Sequence, residues 1–143
     1  MKLVTTRRNR SKLAPEYVPG KCNIGRRGRA IRLITGLVLI VLSIILGIAV
    51  LNPANRLFSL LLVIPLYIGI LACLEGSMSF CVLHAARGTY DLHEPRGFAS
   101  KGSGTLEKVG SEDWKKLDRR KAFRMHLEAA TGAVLLALLL AFA

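Results

Sequence analysis

The sequence predicts an all-α integral membrane protein, a helical hairpin followed by a third, C-terminal transmembrane helix. Three observations carry that prediction. Residues 31–51 hold no charge after Arg32, and residues 57–74 hold none at all. The chain is 52% hydrophobic yet has a net charge of +12, a pairing that makes sense only if charge and hydrocarbon occupy different stretches. From Leu127 to Ala143 the one charge is Glu128. At about 1.5 Å per helical residue the first run reaches roughly 30 Å, the hydrocarbon thickness of a bilayer. A chain of 143 residues offers two such runs too little soluble surface to hide against. The tail is slightly short for a span, a deficit that tilt or local thinning absorbs.

Four pieces follow in order. Residues 1–30 form a basic arm broken by Pro15, Pro19, Gly20, Gly25 and Gly28, expected as loop and short turns. The first apolar run begins too late and runs too long for a cleaved signal; the arginine- and serine-bearing start, MKLVTTRRNRSK, could separately imitate an organelle transit peptide. Residues 31–92 form the two-helix hairpin domain. Its turn is Asn52-Pro53-Ala54-Asn55-Arg56, where Pro53 stops the first helix and Asn55 caps the second. Pro65 lies within the second helix and predicts a kink. Residues 93–110 read as a flexible linker, rich in glycine and serine. Residues 111–143 begin with Ser111-Glu112-Asp113, a cap followed by acids in the first turn, and continue as a basic helix that runs into the apolar tail.

Charge orients the whole. Of the 21 Lys and Arg residues, Arg56 alone lies between the two apolar runs; the rest precede Leu33 or fall between residues 75 and 126. The positive-inside rule therefore predicts a multi-pass protein of the plasma (inner) membrane with its N-terminus and residues 75–126 cytoplasmic. Arg26, Arg27, Arg29 and Arg32 then form a belt at anionic lipid headgroups. Nucleic acid is not the expected partner, because no aromatic residues interleave this charge and no binding motif accompanies it.

Lipid gives apolar helices no hydrophobic reason to associate, so small residues mark the contacts. Gly36, Ser43 and Gly47 share one face of the first helix, and Gly69, Cys73 and Gly76 one face of the second. These stripes are expected to meet. Glu75 falls near the interface and is expected to pair with Arg29 or Arg32; Glu128, at the mouth of the tail, gets the same reading.

Candidate chemistry is sparse. Cys22, Cys73 and Cys81 are odd in number and contain no CxxC, so neither a disulfide framework nor a zinc site is indicated. If residues 73–87 stayed helical, Cys73, Ser77, Cys81 and His84 would fall within a sector of about 80°. A thiol beside an imidazole, with Arg87 near, could act as a nucleophile; the same small and polarizable residues would equally suit helix packing. A metal at Cys81 and His84 would need Cys22 and His93 as well, and a haem would need His84 and His126 at matching depth. No metal and no cofactor is expected.

Residues 22–36, CNIGRRGRAIRLITG, resemble the opening of the YgaP-like inner-membrane transmembrane domain family, which starts with a C/M-N-V-G-x-x-D-R-x-x-R-x-x-x-G signature. Pro65, Gly69, Gly76, Phe80-Cys81 and Arg87-Gly88 resemble its second half, P-L-x-T-G-x-x-G-F-C-P-L-Y. The likeness covers about residues 21–92. Gly28 stands where the family usually has Asp, Glu75 where it has Thr, Val82 where it has Pro and His84 where it has Tyr. The resemblance implies a two-helix membrane hairpin, in some members behind a rhodanese domain that carries sulfur. No stretch of this chain has the composition of that domain, so no activity is carried over.

The expected function is therefore non-enzymatic: a small structural or accessory protein that associates through its glycine faces with itself or with a larger membrane complex. A sulfur- or thiol-handling conduit through Cys73, Cys81 and His84 is the first alternative. An adaptor that reads anionic lipid through residues 107–126 is the second.

Overall fold

The computed structural model describes residues 17–50, 60–92 and 107–142. The turn at residues 52–56, with Pro53 and Asn55, lies outside the described residues, as does His93. The elements are α1 (Arg26–Val50), α2 (Val63–Met78), α3 (Val82–Arg87), β1 (Thr89–Tyr90), β2 (Glu107–Lys108) and α4 (Glu112–Phe142).

Helix α1 begins at Arg26, five residues before the expected start, so the last part of the arm is helical. Its first turn has no acid, and arginine there opposes the helix dipole. Tertiary ties hold this end instead. The Gly25 N–H donates to the Asp91 carbonyl at 3.0 Å, and Ile24 and Asp91 form a parallel bridge.

Helix α2 starts later than expected. Pro65 sits in its first turn, where a missing N–H costs least. Leu60 and Leu61 are also helical, and the pattern is interrupted at Leu62, which keeps right-handed dihedrals of −68° and −15°. The proline has no proton for the Leu61 carbonyl, which accounts for the interruption. At the other end Ser79 adopts the left-handed conformation (φ 56°), and its N–H returns to the Glu75 carbonyl. That closing geometry normally belongs to glycine. Ser79→Gly is expected to raise stability by about 0.5–1 kcal/mol, since it relieves the left-handed cost and keeps the backbone bonds. A thermal melt in detergent that falls would contradict it.

Helix α2 is the middle of three. Helix α1 packs on one side through glycines and α4 on the other through alanines. Asp118, Ala122, Met125, Ala129, Ala133, Ala137 and Leu140 make the buried face of α4, three or four residues apart. Towards one end Leu62, Leu66, Ala133, Ala137 and Leu140 form a cluster; towards the other, Phe80, Ala85, Ala122 and Met125 form a second. The basic and apolar halves of α4 are one unbroken helix of 31 residues.

Residues 107–110, expected within the flexible linker, are structured. Glu107 and Lys108 pair antiparallel with Tyr90 and Thr89, and Val109 is buried. The composition that suggests a linker belongs to residues 97–105 and stops short of this strand.

Two helices are long and apolar enough to cross a membrane, α1 and the C-terminal α4. In their apolar windows only 17% and 22% of residues are buried. A core helix of a soluble domain would hide most of such a window, whereas lipid-facing helices leave theirs open. Leu37, Val41, Ile45 and Ile48 on α1, and Leu135, Leu139 and Phe142 on α4, point outwards.

Candidate functional site

The chemistry-bearing residues gather at one end of the bundle, where α1 begins and α2 ends. Because the two helices run antiparallel, arginines from the start of α1 meet the carbonyl-rich C-terminus of α2, a favourable dipole contact. Arg29 Nε donates to the Gly76 carbonyl at 3.1 Å. Arg32 is the hub. Its Nε donates to Glu75 Oε2 at 2.8 Å, its Nη2 to Cys81 Sγ at 3.2 Å and its Nη1 to the Gly28 carbonyl at 3.3 Å. The other carboxylate oxygen of Glu75 accepts the Val82 N–H at 2.7 Å. The carboxylate thereby joins α1, α2 and the start of α3.

Asn23 completes the junction and is fully buried. Its Oδ1 accepts the Cys81 N–H at 2.6 Å, and its Nδ2 donates to the Cys81 carbonyl at 3.0 Å. Its own backbone bonds Ser79 and Asp91. Among the described residues no buried side-chain nitrogen or oxygen lacks a partner.

The three cysteines are free and occupy three different settings. Cys22 lies in the arm, its Sγ 3.7 Å from the Ile24 carbonyl. Cys73 lies in the α1–α2 contact, 4.0 Å from the Leu33 carbonyl. Cys81 is buried outside any helix, in extended conformation. The stripe of Cys73, Ser77, Cys81 and His84 expected over residues 73–87 does not form. The helix ends at Met78, Ser79 turns left-handed, and α3 starts afresh at Val82. Burial pushes the Cys81 thiol up, outweighing the pull of the His84 N–H and of Arg32. A protonated thiol is a poor nucleophile. His84 Nδ1 is 3.1 Å from Thr89 Oγ1, and burial, helped by the Arg32 charge, holds its imidazole below the ordinary value.

Of the four belt arginines, Arg29 and Arg32 turn inwards as described, while Arg26 is exposed. Arg27 is partly buried. Gly36, Gly69 and Gly76 lie where α1 and α2 cross closely, Ser43 is buried and bonds the Leu39 carbonyl, and Gly47 faces Leu62 and Leu140. Glu128 pairs with Arg124 at 3.8 Å. His126 and the Tyr67 hydroxyl share a hydrogen bond, far along the chain from the His84–Thr89 pair. Among the described residues no three His, Cys, Asp or Glu side chains group as a metal set.

A second clamp holds the basic half of α4 to the arm. Asp118 is fully buried; it accepts the Tyr17 hydroxyl at 2.8 Å and the Gly20 N–H at 2.7 Å. Tyr17 stacks on Tyr90 with ring centroids 4.4 Å apart. Burial, reinforced by the Asp118 carboxylate, pushes the Tyr17 phenol far up, so it remains a donor. Asp118→Ala is expected to cost about 1–3 kcal/mol by stranding two donors. Hydrogen exchange should quicken at residues 17–22; unchanged protection there would contradict the clamp.

Sequence reasoning missed Asn23, Asp118 and the alanine face of α4. Asn23 sits inside the CNIG segment, and Asp118 is the lone acid in KKLDRRK. An acid isolated among cations was the available signal.

A scan of protein-family models matches nothing in this chain, and searches of curated proteins and of solved structures return no match. The fold itself defines the class: an all-α bundle with two helices long and apolar enough to span a membrane.

Proposed function

We propose that this is a small multi-pass integral membrane protein of structural or accessory kind, non-enzymatic, with its N-terminus and residues 75–126 on the cytoplasmic side of the plasma (inner) membrane. One observation carries the reading. The arm, the end of α2, α3 and the basic half of α4 are tied together at one end, so the described lysines and arginines collect there, while the opposite end holds Gly47, Leu62 and Leu140. Such one-sided charge on an apolar bundle is what the positive-inside rule orients.

The saturated polar junction supports a scaffold over a reactive centre, since Arg32, Glu75 and Asn23 are spent on holding helices together. The glycines are likewise occupied within the chain, which leaves the aliphatic outer faces of α1 and α4 for lipid or a partner helix. The CNIG and Phe80-Cys81 segments, which carry the resemblance to the YgaP-like hairpin, are joined through Asn23.

Alkaline carbonate extraction of membranes, followed by mass measurement of the protein in mild detergent, tests the reading. Retention in the pellet and a particle heavier than one 15.6 kDa chain are expected. Release by carbonate overturns the membrane assignment, and a lone monomer overturns the accessory role.

A further inference from the structure

A groove of about 510 Å³ opens between the arm turn, the end of α2 and α4. Its cationic wall is Lys21, Arg120, Lys121 and Arg124. Met78, Leu117 and Met125 line it with apolar surface, and the Glu128 carboxylate is also part of its lining. Two of the cations are already engaged. Lys121 holds the Lys21 carbonyl at 3.1 Å and lies 4.6 Å over the Phe80 ring; Arg124 pairs with Glu128 at 3.8 Å. Lys21 and Arg120 have no carboxylate partner among the described residues.

The groove's position on α4 says what would fill it. Arg124 and Glu128 are the last charges of that helix, and nothing beyond them is charged. Met78 and Leu117, 38% and 48% exposed, present apolar surface at the same level. A ligand here meets excess positive charge and apolar side chains together, at the boundary between headgroup and acyl depth. We propose that the groove seats one anionic glycerophospholipid, its phosphate against Lys21, Arg120 and Arg124 and its first acyl carbons over Met78 and Leu117. The proposal rests on the membrane reading above and gives it a specific lipid contact.

The test uses the whole protein in bilayers of equal phosphatidylglycerol and phosphatidylcholine, with the lipids that remain bound after mild detergent extraction identified by mass spectrometry. Wild-type protein should retain phosphatidylglycerol preferentially. Lys21→Gln, Arg120→Gln and Arg124→Gln together should cut that preference by about fivefold or more. Arg87→Gln, Lys116→Gln and Arg119→Gln, which remove the same charge outside the groove, should leave it within about twofold. Lys121 is left intact because it also ties the arm. Arg120→Gln alone, a change at an exposed side chain, should lower the preference in the same direction.

Equal losses in both triple variants would reduce the effect to diffuse surface charge and overturn the groove. So would no loss in either. Glycerol phosphate should not displace the lipid; displacement would make the groove a soluble-phosphate site. Protein that resists carbonate yet shows no phosphatidylglycerol preference overturns the lipid seat and leaves the membrane reading standing.

Discussion

Gly36→Val should force α1 and α2 apart and lower stability by about 3 kcal/mol, the upper end of what overpacking costs. A Cβ at Gly36 would lie 2.7 Å from Cys73 Sγ, 2.7 Å from the Gly69 carbonyl oxygen and 2.8 Å from the Cys73 nitrogen. Two of those three atoms are backbone, so no rotamer change relieves the clash. Gly76 is equally tight, with the Arg29 carbonyl oxygen at 2.8 Å. Gly47 offers the contrast. There an added Cβ meets only the tips of Leu62 and Leu140, at 3.1 and 3.2 Å, and flexible side chains can give way. Gly47→Ala is therefore expected to cost less than about 1 kcal/mol. Thermal melts in detergent check the pair, and equal losses at the two positions would mean that α1 and α2 do not cross as described.

Glu75→Ala should lower stability by about 2–4 kcal/mol, because it strands a partly buried guanidinium and the Val82 N–H together. The carboxylate side chain is 12% exposed and that of Arg32 27%, so water cannot fully replace the missing partner. Glu75→Gln keeps one acceptor oxygen, enough for the Val82 N–H but not for Arg32 as well, and should cost less than the alanine. A Glu75→Ala protein that melts with the wild type would show that the ion pair adds nothing to the junction.

Much of this architecture was legible in the chain. The uncharged run after Arg32 and the apolar tail after Glu128 are physical requirements of a membrane helix, and both lie in helices of the expected kind. The pairing of Glu75 with Arg32 was legible too, because an acid at the end of one antiparallel helix must find a cation at the start of the other. The hidden parts depend on long-range geometry. Ser79 has no left-handed preference, so nothing local says that α2 stops there, and the thiol stripe read across that break dissolves. Asn23 and Asp118 are short polar residues whose partners lie 58 and 98 or more residues away. The start of α1 at Arg26 was hidden for a similar reason: its arginines oppose the helix dipole and are held by contacts with residues near Gly76 and Asp91.

Side-specific labelling tests the central claim most directly. In a background with Cys22, Cys73 and Cys81 changed to Ser, single cysteines replace Lys108 and Phe142, both exposed, on strand β2 and at the far end of α4. A membrane-impermeant maleimide is applied to intact cells and to inverted vesicles. Labelling is expected at 108 only in inverted vesicles and at 142 only in intact cells. Labelling of both positions from the same side would mean that α4 does not cross the membrane, and the proposed three-helix span would be wrong.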